Sequence, residues 1–107
     1  MRMHNPPHPG DFIKATYVEP FNLTTRYLAE HLHVSPSTIN RLINCQASIS
    51  PEMAYRLSAV LGRSPESWLA LQVQYDLWEA QKSGEFEKLE SINFKKYTSS
   101  DRHDARA

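Results

Sequence analysis

The sequence has one cysteine, Cys45, and three glycines in 107 residues. A lone cysteine excludes an intramolecular disulfide and any CxxC metal site, and makes a reducing cytoplasm the expected compartment. No Gly-rich phosphate loop and no nucleophile elbow is present, which removes the most recognisable signatures of nucleotide and hydrolase chemistry. No run approaches the ~20 apolar residues of a membrane span, and MRMHNPPHPG lacks the apolar stretch of a signal peptide, so a soluble, non-exported protein with no membrane association is expected. An excess of charge is also missing, with 12 Lys and Arg against 12 Asp and Glu. Any surface suited to a polyanion must therefore come from local arrangement.

What the chain does contain is repeated punctuation. Ser-Pro occurs at Ser35, Ser50 and Ser64, each time ahead of a run with helical spacing. Ser accepts a hydrogen bond from an unpaired N–H of a first turn, and Pro at the next position has no N–H to leave unpaired. The length suits one domain with a single core, and the pattern divides it into residues 1–82 and a charged tail over 83–107.

HNPPHPG is too rich in Pro to be regular, and a first helix is expected from about Asp11 to Val18. Thr24 caps a second, with Leu28, Ala29 and Leu32 on one face. Ser35 opens a third, with Ile39, Leu42 and Ile43 turned inward. Ser50 opens a fourth that Gly62 ends, and Ser64 a fifth that runs to about Lys82. Ile92-Asn93-Phe94 is expected as a short strand, and Thr98 to Ala107 as a solvated tail.

The third helix carries the chemistry. Its outer face holds Ser37, Thr38, Asn40, Arg41 and Asn44, as the second helix of a helix-turn-helix does when it enters a major groove. Ser and Thr hydrogen-bond to several base edges, Asn40 suits adenine, and Arg41 offers two N–H groups to guanine. Base contacts are assigned to Ser37, Thr38, Asn40 and Arg41, and backbone contacts to Thr25, Arg26, Asn44 and Ser48. An ordinary polar helix face is the competing explanation. In the fifth helix Trp68, Leu71, Tyr75 and Trp78 recur at helical spacing, either as core or as a dimer seam. His31-x-His33 with His4 and His8 is the only histidine group that suggests a metal. No Cys or carboxylate cluster completes a ligand spacing, so these read as surface histidines.

LAEHLHVSPSTINRLIN, followed by ISPEMAYRL and SPESWLALQVQYDLW, resembles the phage-repressor class of helix-turn-helix domains. HPGD, YVEP and WLALQVQYDLW resemble the HigA branch of type II antitoxins, over about residues 8 to 80. The resemblance implies a five-helix repressor-like domain, and with the tail read above the expected fold is all-α with a short, partly extended C-terminal tail. It also implies a homodimer on operator DNA and a HigB-like ribonuclease toxin as partner; from the missing motifs, neither cofactor nor catalysis is expected. His33 and Cys45 stand where such sequences usually have Gly, and their backbones are expected at positive φ. Pro36 and Gln46 replace residues that are often basic, which predicts weaker phosphate attraction. A stand-alone regulator without a toxin is the alternative function, and a histidine-dependent metal enzyme a remoter one.

Overall fold

Each of the five α-helices begins at a residue whose side chain accepts a hydrogen bond from the first turn. The computed structural model describes residues 5–96. Helix α1 (Pro9–Ile13) starts before Asp11: His8 Nδ1 accepts from the Gly10 N–H at 2.8 Å, and Pro9 takes the first helical position. The His-Pro pair thus does what the Ser-Pro pairs do, inside a segment expected to be irregular. α1 then widens into a π-helical turn (Lys14–Val18), closed by Glu19 N–H to Lys14 O at 2.9 Å.

The other four starts follow the expected caps. Thr24 opens α2 (Thr25–Leu32), Ser35 opens α3 (Pro36–Ile43), Ser50 opens α4 (Pro51–Leu61) and Ser64 opens α5 (Pro65–Gln81). Cap distances are 3.0 to 3.2 Å. Each cap contributes ~1 kcal/mol and removes one unpaired donor.

α2 packs on α3 and α4, α1 on α3 and α5, and α4 on α5. Ile13, Leu28, Leu32, Ile39, Leu42, Ile49, Leu57 and Trp68 form one continuous buried cluster. Burying each of these side chains stabilises the fold by roughly 1.5–3 kcal/mol. Trp68 lies at its centre, 0 % exposed, with Phe12 edge-on at 5.9 Å and its indole N–H donating to Gly62 O at 2.8 Å. The seam expected from Trp68, Leu71, Tyr75 and Trp78 is corrected at its first member, because α1 and the α4–α5 turn enclose Trp68 within the monomer. Leu71, Tyr75 and Trp78 are half-buried.

Beyond α5 the chain makes two 3₁₀ turns, Glu85–Lys88 and Phe94–Lys96. The expected strand at Ile92-Asn93-Phe94 is not formed, and the described residues contain no strand. A strand here would have no partner to take up its N–H and C=O groups. The tail from Thr98 lies outside the described residues. No helix among the described residues is long and apolar enough to cross a membrane.

Candidate nucleic-acid interface

Both ends of α3 are fixed by local chemistry. On the approach, Val34 N–H reaches Ala29 O at 3.1 Å and His33 N–H reaches Glu30 O at 3.3 Å, which closes α2 and turns the chain. The turn needs His33 in the left-handed region, at φ 59°. α3 ends in the same way: Gln46 N–H bonds Arg41 O at 2.8 Å and Cys45 N–H bonds Leu42 O at 3.1 Å, with Cys45 at φ 62°. Both positive φ values match expectation, and each costs a non-Gly residue ~1 kcal/mol or more.

At the start of α3, the hydroxyl of Ser35 lies 2.9 Å from that of Thr38 and 3.2 Å from that of Ser37. The Thr38 side chain is therefore half-buried and engaged in the cap, at the flank of the outer face. Ser37, Asn40, Arg41 and Asn44 share one exposed stripe, as their three- and four-residue spacing requires. Arg26 is exposed near the start of α2, and Thr25 beside it is half-buried. Neither Arg26 nor Arg41 is in an ion pair among the described residues; the pairs there are Arg56–Glu52 and Lys82–Glu79. Asn44 and Ser48 are exposed in the loop after α3. The structure thus brings most of the expected contact residues to one helix and the loop that leaves it.

Three residues behind this face were not singled out from the sequence. Arg56 of α4 donates to the Leu32 and His33 carbonyls and so secures the turn into α3. Gly10 lies against the end of α3, where a Cβ would overlap Leu42 O. Gln72 of α5 is 4 % exposed and accepts from the Ile49 N–H at 2.8 Å.

His8 is 6 % exposed, which corrects its reading as a surface histidine. Desolvation by burial pushes its pKa below 6.5, against opposing pulls from Asp11, Asp76 and the Ala47 carbonyl. A neutral ring with Nδ1 as acceptor carries its proton on the other nitrogen. Among the described residues no three His, Cys, Asp or Glu side chains gather where they could hold a metal.

Two short helices joined through a left-handed residue, the second offering an exposed polar stripe with an unpaired guanidinium, define a helix-turn-helix domain. The helix-turn-helix family model matches residues 15–68. The chain is 40% identical over 92 residues to the uncharacterized HTH-type transcriptional regulator YddM of Escherichia coli, covering 86% of this chain and 97% of that relative. It is 38% identical over 72 residues to antitoxin HigA-1 of Vibrio cholerae, covering 67% of this chain and 68% of the antitoxin. The solved structure of Pseudomonas aeruginosa antitoxin HigA with the higBA promoter superposes with a TM-score of 0.74 at 30% identity, covering 82% of this chain and 99% of that one. The chain belongs to the helix-turn-helix family, in its HigA antitoxin branch.

Proposed function

We propose that this protein is a DNA-binding antitoxin that represses its own operon as a homodimer and neutralises a HigB-like ribonuclease toxin. The observation that carries the DNA reading is the stripe of Ser37, Asn40, Arg41 and Asn44 on a helix whose start and end are both locked. In this reading Ser37, Asn40 and Arg41 meet base edges, with Thr38 at the margin, and Thr25, Arg26, Asn44 and Ser48 meet phosphates. A two-fold dimer sets its α3 helices about 34 Å apart, one turn of duplex, so two modest half-site affinities combine. That arrangement suits a chain without net charge. Leu71, Tyr75 and Trp78 supply the dimer contact, residues 83–107 form a tail on the 1–82 domain, and the protein works in the cytoplasm, by binding and not by catalysis.

A regulator without a toxin is the second reading. It is favoured by YddM, whose name is that of a transcriptional regulator and whose match covers more of this chain than that of HigA-1. Co-expression with the neighbouring small reading frame, followed by pull-down and footprinting, separates the two. A stable complex that rescues growth and protects the upstream DNA supports the antitoxin. Footprinting by the chain alone, with no partner captured and no rescue, supports the stand-alone regulator.

A further inference from the structure

The segment leaving α3 is held from behind at three successive points. At Leu42 the backbone of Gly10 presses against the carbonyl, in a space that no Cβ fits. At Ala47 the carbonyl interacts with the His8 ring, which also packs edge-on against Tyr75 of α5 at 4.9 Å. At Ile49 the N–H donates to Gln72 Oε1 at 2.8 Å, while Gln72 Nε2 donates to Asp76 Oδ1 at 3.0 Å. Between these points Asn44, Cys45, Gln46 and Ser48 remain exposed. The loop alternates between residues fixed to the body of the domain and residues offered outward.

Two buried polar side chains are a large commitment for so small a core. A leucine in place of Gln72 would bury as much apolar volume without desolvating an amide, so packing alone does not account for the residue. Its amide satisfies Ile49 N–H and is itself oriented by Asp76, and a buried hydrogen bond of this kind specifies one arrangement of the loop.

We propose that Gln72 and His8 are positioning residues for DNA recognition, pinning residues 44–49 to α5 and α1 so that Asn44 and Ser48 meet the phosphates in register with α3. The proposal rests on the DNA-reading function argued above. It assigns a role in binding to two side chains that touch no nucleic acid.

The test uses the full chain with Gln72→Leu or His8→Asn and a duplex from the region upstream of its own reading frame. His8→Asn is selective: the Asn carbonyl still caps Gly10 N–H, whereas the shorter side chain does not reach Ala47. For each variant the folded fraction, Ile49 amide exchange, affinity, base preference and salt dependence are measured. Affinity per folded molecule is expected to fall about tenfold in both, equally across operator variants and with a flatter salt dependence, because phosphate contacts are lost while base contacts stay. Ile49 exchange should be accelerated in Gln72→Leu. A folded Gln72→Leu chain with wild-type affinity and salt slope overturns the proposal, and if that variant does not fold, the same result with His8→Asn overturns it. A wild-type chain that binds no duplex instead defeats the DNA-reading function, and the positioning role with it.

Discussion

The Arg56 guanidinium reaches from α4 to the last carbonyl of α2, donating to Leu32 O at 2.8 Å and to His33 O at 3.3 Å. Those carbonyls belong to the turn that sets the angle between α2 and α3, so a residue outside the helix pair holds its geometry. The Glu52 carboxylate 2.7 Å from Arg56 is largely exposed and serves mainly to orient it. Arg56→Ala should destabilise the domain by about 1.5–3 kcal/mol, the range for hydrogen bonds to a charged group. Arg56→Lys should recover only part, because an ammonium does not span both carbonyls in the same planar way. Thermal unfolding of the two variants checks the order.

Gly10→Ala is a sharper perturbation. The added methyl would overlap Leu42 O, and because that atom is backbone, α1 and the end of α3 must separate. Overpacking of this kind costs roughly 1–3 kcal/mol or more. The expected result is a lower melting temperature with faster amide exchange at the end of α3. Wild-type stability would mean that the helices part at little cost.

Arg41 and Arg26 should behave differently on DNA. Arg41→Ala is expected to weaken specific binding by about 1–3 kcal/mol and relax preference at one base pair per half-site. Arg26→Ala should weaken binding to all sequences alike and reduce the salt slope by about one. Affinities for a set of single-base operator variants at several salt concentrations give both results. A change of base preference in Arg26→Ala would reverse the assigned orientation of the helix pair.

His8 gives the fold a pH dependence with a definite sign. Its folded pKa lies below the unfolded value of 6.5 because burial disfavours the imidazolium. The unfolded state therefore binds more protons in the window between the two values, and stability rises with pH across it. The contribution is present above 6.5 and is lost as pH falls through the folded pKa. His8→Asn should flatten this part of the stability profile in denaturant titrations between weakly acidic and neutral pH. An unchanged slope would assign the dependence to other groups.

The sequence shows helix limits far better than it shows what lies behind them. Ser35, Ser50, Ser64 and Thr24 act within three residues of themselves, so their roles are written locally. His8 does the same chemistry at α1, but a histidine between prolines resembles a loop until its burial is known. Gln72 and Arg56 make contacts across 23 and 24 residues, and no local pattern in α5 or α4 marks them. Trp68 has the spacing of both a core and a surface residue, and only the placement of Phe12 and the Gly62 carbonyl decides between them. Ile92-Asn93-Phe94 has strand-forming composition, yet a strand depends on a partner elsewhere. The outer face of α3 was readable because three inward residues fix the direction of the rest.

Because Ser35 starts α3 and Cys45 ends it through bonds that do not involve the Asn40 and Arg41 side chains, those two positions are free to diverge. Asn40 and Arg41 are exposed and take no part in the caps, so exchanging them leaves the scaffold's folding energy nearly untouched while changing what it recognises. A lineage built on this plan can drift from one binding site to another by single substitutions, with few intermediates lost to misfolding. The residues that cannot drift with them are those at the back of the loop, where Gly10, His8 and Gln72 meet it.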